Sequence, residues 1–377
     1  MTNPTIQHAQ AFSESQIYAA WGQGPSARYD ELAQHFRPVF AKIQAGTLQR
    51  EQQRILPYEQ LQWLKDSGFT RLRLPKAFGG FDATIPELFA LLVELAQADS
   101  NLPQALRVHF GFTEDVLISK DPAFKARWLK RIAAGEIVGS AWSEGGKESR
   151  DQFQTHIYRD PQGQIRLKGQ KYYTTGSLYA DWIEVGIQDL TGEPASVLVL
   201  RQSEGVQVLD DWNGFGQRTT SSGTVKLHQV RVDPELIFDE RKLSESANYR
   251  GAYSQLLQVS IDVGIAEAAL QDTLSSVRKA RPIVDAQVER ANQELFTLQE
   301  IGKLDILLNA SVLLLNNAAE LLDELDQLSS ISDAQAAQAS IAVAEAKIYA
   351  HRAALTISEK LFELGGSRSS LSQFNLD

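Results

Sequence analysis

The 377-residue chain contains no cysteine and one methionine. Without cysteine there is no disulfide scaffold, no thiol nucleophile and no thiolate metal site. Basic residues are in deficit, 37 against 47 acidic, for a formal charge of −10. That balance argues against a general nucleic-acid binder. No apolar run reaches the ~18 residues of a membrane span. The first residues, Met1 to Gln16, lack the basic and apolar regions of a signal peptide, so a cytoplasmic protein is expected. Hydrophobic residues make up 43% of the chain, enough for a sizeable core in two or three domains. No metal is expected.

Three zones differ in texture. Residues 1–135 read as helical. Pro57 opens a helix with Leu61, Trp63 and Leu64, and Ser67-Gly68 ends it. Arg71 to Pro75 is expected to be short and extended, and a further helix carries Leu88, Leu91, Leu92 and Leu95. Residues 136–242 change period. Gln164 to Lys168, Ser196 to Leu200 and Thr224 to His228 alternate, separated by turn clusters at 160–163, 192–194 and 221–223. Short strands with regular turns predict a small sandwich or barrel. Residues 243–377 return to helix. Ile301, Leu304, Leu308, Val312, Leu315, Ala319 and Leu322 make one apolar stripe, and Ser332 with Gln335 reads as a capping box. Val284 to Leu295 is polar and predicts a loop or frayed helix end between bundle helices. The fold class is α+β: an N-terminal helical domain, a central β-barrel or sandwich, and a C-terminal antiparallel helical bundle.

This order, with five local strings, resembles the acyl-CoA dehydrogenase superfamily of flavoproteins. The strings are Leu56-Pro57 through Gly80, Ala141-Trp-Ser-Glu144, Lys168-Gly-Gln-Lys-Tyr-Tyr-Thr-Thr-Gly176, Gly214 through Gly223 with Val230-Arg-Val232, and Glu363-Leu-Gly-Gly366. Asn101 to Phe110, Tyr172 to Trp182 and Asp210 to Arg218 look like its dibenzothiophene monooxygenase and sulfur-acquisition branch. That resemblance implies reduced FMN from a separate flavin reductase, molecular oxygen as co-substrate, a small organosulfur substrate and a C4a-hydroperoxyflavin. It also implies a homotetramer.

Site residues follow from the resemblance. Ser143 and Thr175 match positions that hydrogen-bond the flavin ring edge, where a hydroxyl both donates and accepts. Tyr173 replaces the usual tryptophan beside the ring, and Trp142 and Trp212 sit in turns that line the flavin or substrate pocket. Trp182 is expected in the barrel core. His109 is the candidate proton donor over the cavity. Arg281, Gly365, Gly366 and Arg368 are candidates for the flavin phosphate, Arg281 from a neighbouring subunit. The alternative is an FAD-dependent acyl-CoA dehydrogenase, which needs a carboxylate base. Aligning Gly264 with the family's helix glycine puts Ser254 at one base position, followed by Gln255. The other lies past the Gly-Gly motif, where Glu363 and Asp377 are the nearest carboxylates and neither matches. The branch's C-terminal histidine falls past Asp377 too. A third reading is a flavin-binding homologue with impaired chemistry.

Overall fold

A computed structural model of the protein describes residues 24–145, 153–239, 246–374 and 376. The expected leaderless start (Met1 to Gln16), the boundary at 242 and the carboxylate of Asp377 lie outside the described residues.

The first zone is helical. Helices α1 (Tyr29–Ala45), α2 (Thr47–Gln53) and α3 (Tyr58–Asp66) precede α4 (Ile85–Ala98), α5 (Asn101–Ile118) and α6 (Pro122–Ala133). Pro57 is the N-cap of α3, and Gly68 in the left-handed region turns the chain after it. The stretch expected to be extended at Arg71 to Pro75 instead continues a 3-10 turn at Phe69–Arg71 into bends. The buried Arg73 accounts for the difference: its ion pairs hold the segment curled against the helices. Helix α4 starts with a capping box between Thr84 and Glu87 and buries Leu88, Leu91, Leu92 and Leu95.

The middle zone is built as one mixed sheet of eight strands. These are β1 (Val138–Ala141), β2 (His156–Arg159), β3 (Ile165–Lys171), β4 (Trp182–Gln188), β5 (Pro194–Leu200), β6 (Val206–Val208), β7 (Val225–Arg231) and β8 (Ile237–Asp239). Their order is β6-β7-β3-β2-β4-β5-β8, with β1 parallel to β4. The three alternating stretches of the sequence are β3, β5 and β7. Ile165, Leu167, Val185, Val197 and Val225 form the sheet's own core. Trp182 is buried, but in the seam between the sheet and α6, edge-to-face with Trp128 at 5.3 Å.

The third zone has α7 (Arg250–Lys279), α8 (Leu295–Asp326) and α9 (Asp333–Gly365). The predicted capping box at Ser332 and Gln335 opens α9. The polar stretch before Leu295 is irregular apart from a 3-10 turn at Ala291–Gln293. One hydrophobic core joins these helices to α1, α4 and α5, so the two helical zones pack together although the sheet separates them in sequence. Gly264 permits the closest approach: a Cβ there would stand 2.4 Å from Ala96 Cβ and 2.6 Å from Val93 O. The α4–α7 packing sets where α5 and the start of α7 stand, and these two form one wall of the cavity below.

Candidate functional site

A cavity of about 980 Å³ opens between the helical core and the sheet. Its helical wall is α5 and the first turns of α7. Its other wall comes from chain segments leaving the sheet: the turn after β1, the β3–β4 connection, and the loop between β6 and β7. Ser143, Thr175, Trp142, Tyr173 and Trp212 all line it. Strand topology explains the meeting. Ser143 O accepts the Tyr172 amide at 2.8 Å, which closes the β1 turn onto the end of β3. Gly176 (φ +77°) lets the connection pass α5, because a Cβ there would lie 2.1 Å from Ala105 O.

Thr175 belongs to an ordered row of hydroxyls. Its Oγ1 lies 2.8 Å from Ser222 Oγ, which lies 2.8 Å from Thr220 Oγ1, which donates to Gln217 O at 3.1 Å. A carbonyl only accepts, so Thr220 spends its proton there. The orientation that satisfies the whole row has Ser222 donating to Thr220 and Thr175 donating to Ser222. Thr175 then turns lone pairs toward the cavity and is set to accept an N–H. Trp212 Nε1 donates to the same Gln217 carbonyl at 3.0 Å, and the Trp212 ring meets Tyr173 edge-on at 6.1 Å. Tyr173 is two-thirds exposed with φ +53°, so it stands at the mouth rather than in the depth.

Residues that sequence reasoning passed over hold the Trp142-Ser143 turn. Lys171, fully buried, donates to Trp142 O at 3.1 Å and to Glu144 Oε1 at 2.7 Å. Burial pulls its amine down to about 8, which the Glu144 carboxylate partly opposes. Burial alone would raise the Glu144 carboxyl. Lys171 and the Gln154 and Thr155 amides instead hold it below the usual range. The signal was present: Lys171 is the inward lysine of the Lys168–Gly176 string, and Glu144 closes the Ala141–Glu144 string.

The expectation for His109 is corrected by the geometry. Helix α5 does lie over the cavity, but His109 is on its other side, fully buried and absent from the lining. Nε2 donates to Thr70 O at 2.9 Å, and burial lowers the imidazole to about 4, so it is neutral. At ~100° per residue, Arg107 points roughly 200° away from it, and Arg107 is the residue that reaches the cavity. Around the same wall Asp115 pairs with Arg250, whose Nη2 donates to Oδ2 at 2.6 Å. Arg73 clasps Glu114 with two bonds of 3.0 Å, and Tyr249 donates to Glu114 at 2.8 Å.

Ser254 lines the cavity in the first turn of α7. Its side chain is a neutral hydroxyl, at the position that the resemblance assigns to a dehydrogenase's carboxylate base. The phosphate candidates stand elsewhere. Arg281 follows the far end of α7, about 38 Å along the helix from Ser254 at ~1.5 Å per residue. Gly365 lies near Ser276 on that same end, with Gly366 and the exposed Arg368 beside it. Arg281, Gly365, Gly366 and Arg368 are therefore brought to one end of the bundle and are absent from this chain's cavity lining.

An α–β–α chain with such a cavity between sheet and helices defines an acyl-CoA dehydrogenase-type flavoprotein. Residues 29–136 match the acyl-CoA dehydrogenase N-terminal domain and residues 256–377 its C-terminal domain, together more than half of the chain, and the chain belongs to this family. It is 26% identical to a dibenzothiophene monooxygenase of Mycolicibacterium goodii over 367 residues, covering 93% of this chain and 88% of that protein. It is 25% identical to a probable FMNH2-dependent monooxygenase, SfnC, of Pseudomonas putida, covering 90% of this chain and 86% of that protein. Among solved structures, FMN-bound TdsC from Paenibacillus sp. A11-2 superposes with a TM-score of 0.85 at 25% identity, covering 91% of this chain and 90% of TdsC.

Proposed function

We propose that the protein is a reduced-FMN-dependent monooxygenase acting on a small organosulfur compound. One observation carries the reading. The cavity pairs an ordered hydroxyl acceptor, Thr175, with a neutral Ser254 at the position of the dehydrogenase base. Of the lining carboxylates, Glu114 and Asp115 are held by arginines and Glu184 is itself engaged by a neighbouring group. Among the described residues, no lining carboxylate is left to serve as a strong base for an acyl substrate. The relatives named above as a dibenzothiophene monooxygenase and an FMNH2-dependent monooxygenase support the same choice of cofactor and chemistry.

The residues fit a flavin. The volume is at the upper end of the ~300–1,000 Å³ typical of ligand sites. Among the described residues, buried polar atoms bordering it have no hydrogen-bond partner, Gln104 Oε1 and Tyr253 Oη among them. When bound, reduced FMN supplies the electrons that activate oxygen. Thr175 and Ser143 hold the ring edge, Thr175 accepting a ring N–H. Trp142 and Tyr173 flank it, and α5 with α7 excludes water from the side where sulfur is oxidised. Arg281, Gly365, Gly366 and Arg368 meet a flavin phosphate only across a neighbouring copy, which ties the cofactor to a homotetramer. Ile341, Ile348, Leu355 and Phe362 support such assembly: they repeat every seventh residue on the exposed side of α9. On this reading the division 136–242 is the flavin wall, 1–135 and the start of 243–377 share the substrate wall, and the rest of 243–377 is the assembly bundle. We place the protein in the cytoplasm, where a flavin reductase can deliver FMN before free oxygen consumes it.

The test is turnover of the purified protein with a flavin reductase, FMN, NADH and oxygen on a panel of neutral and anionic organosulfur compounds: dibenzothiophene, dimethyl sulfide, methanesulfinate and benzenesulfinate. Oxygenated sulfur products in the mass spectrum are expected. Their absence, with bleaching of bound FAD by butyryl-CoA, refutes the reading in favour of the dehydrogenase.

A further inference from the structure

The helical wall of the cavity holds a cation that meets no anion among the described residues. Arg107 lines the cavity from the middle of α5, and its Nε is buried without a hydrogen-bond partner. Among the described residues no carboxylate makes an ion pair or hydrogen bond with it. The carboxylates of the same wall are taken: Asp115 by Arg250, and Glu114 by Arg73 and Tyr249. Glu184, on the sheet side, is engaged as well. Burial pulls the Arg107 guanidinium below the ordinary arginine range, with no charge partner to raise it again. A partly desolvated guanidinium with no carboxylate partner among the described residues is costly to hold at a cavity wall, so its counter-charge is to be sought in a ligand.

Two neighbouring groups sharpen the chemistry. Gln104, one turn before Arg107 on the same face of α5, has a buried Oε1 without a partner. Tyr253, facing them from α7, has a buried phenol oxygen without a partner. Burial and the nearby Glu114 keep that phenol protonated, so it is a donor. Arg107 and the Tyr253 hydroxyl are donors on one wall, and Gln104 Oε1 beside them is an acceptor that suits a bridging water or a protonated oxygen of the ligand. Their complement is a small group with several acceptor oxygens and negative charge.

We propose that this wall binds an anionic head group of the substrate, a sulfinate, sulfonate or carboxylate, with Arg107 as its anchor and Tyr253 as a second donor. The proposal rests on the organosulfur monooxygenase reading for the identity of the ligand, but its binding chemistry is separate. A neutral thiophene or sulfide offers these donors little, and burying it there would leave Arg107 unpaired. The flavin phosphate is the other anion that could meet Arg107, and the experiment separates the two.

The measurement is isothermal titration calorimetry on the protein loaded with oxidised FMN, where no turnover occurs. The probes are methanesulfinate against dimethyl sulfone, and benzenesulfinate against methyl phenyl sulfone. The wild type is expected to prefer the anion of at least one pair by tenfold or more. In Arg107→Met that preference is expected to vanish, with anion binding weakened on the order of 10- to 100-fold, as for loss of a charged hydrogen bond. Arg107→Lys restores part of it, and Tyr253→Phe weakens the anion several-fold while sparing the sulfone. Arg107→Met should melt at or above the wild-type temperature, because it removes a half-buried charge that has no carboxylate partner among the described residues. No anion preference in the wild type, or one that survives in Arg107→Met and Tyr253→Phe, overturns the proposal. So does an Arg107→Met variant that loses FMN affinity but not riboflavin affinity, because the partner of Arg107 is then the cofactor phosphate. If instead no sulfur compound is oxygenated while the calorimetric preference holds, the functional reading fails and the anion site stands.

Discussion

The cluster around Arg73 makes the sharpest prediction. Arg73 donates from Nε and Nη2 to the two oxygens of Glu114 at 3.0 Å each, from Nη2 to Asp326 at 3.0 Å and from Nη1 to Ala83 O at 2.6 Å. Tyr249 closes the ring, donating at 2.8 Å to Glu114 and lying 2.7 Å from Asp326. The Arg73 and Glu114 side chains are 8% and 1% exposed, so neither charge has water to fall back on. Arg73→Met leaves Glu114 with the phenol of Tyr249 alone. Stranding a buried charge costs about 3–5 kcal/mol. At ~1.4 kcal/mol per decade, that is a factor of roughly 10² to 10³·⁵ in local opening. Native-state hydrogen exchange reads it directly: amides in the second half of α5 and the last turn of α8 should lose that much protection. A loss below tenfold would refute the claim that this network holds the helical wall. A second variant separates charge from packing. Arg73→Met with Glu114→Leu removes both charges and should recover most of the loss, giving a coupling of at least about 2 kcal/mol. If the double variant is as weak as the single one, shape rather than charge is responsible.

Thr175→Val removes the acceptor at the end of the hydroxyl row. FMN affinity should fall roughly 5- to 30-fold, about 1–2 kcal/mol, in a fluorescence-quenching titration, with a smaller fall for Ser222→Ala. Glu267, on α7, is pushed up to about 7 by burial and by Glu94. Its folded value exceeds its unfolded one, so its contribution is full below pH 4.5 and is lost as pH rises toward 7. Glu267→Gln should therefore match the wild type in acid and exceed it by about 1–3 kcal/mol at pH 8; thermal melts across that range that stay parallel would contradict the assignment. Ile348 is 73% exposed on α9. In the proposed homotetramer, burying it between copies is worth about 2–3 kcal/mol per copy, so Ile348→Glu should shift sedimentation toward smaller species. An unchanged profile places the interface elsewhere.

Much of the fold is periodicity and punctuation, and both are local. The apolar stripe from Ile301 to Leu322 is the buried face of α8. The Ser332–Gln335 box is the start of α9. The alternating stretches are β3, β5 and β7. Each of these depends on side-chain spacing within a few turns, so the chain states them without its tertiary structure. The strings containing Ser143 and Thr175 likewise marked the segments that meet at the cavity.

What the chain alone did not decide is which side of an element meets what. His109 and Arg107 are two residues apart on one helix, both polar and both in the string that carried the resemblance. Only the packing of α5 between Thr70 and the cavity tells the buried histidine from the lining arginine. Partnership is equally non-local. Arg107 differs from Arg73 and Arg250 in having no carboxylate partner among the described residues, and the carboxylates of those two come from α5 and α8, far away in sequence. The sequence by itself determined the order of elements and the segments of the site, because these follow from short-range pattern. The tertiary structure decided which charges are satisfied within the chain and which are left for a ligand, because burial and pairing depend on contacts between distant residues.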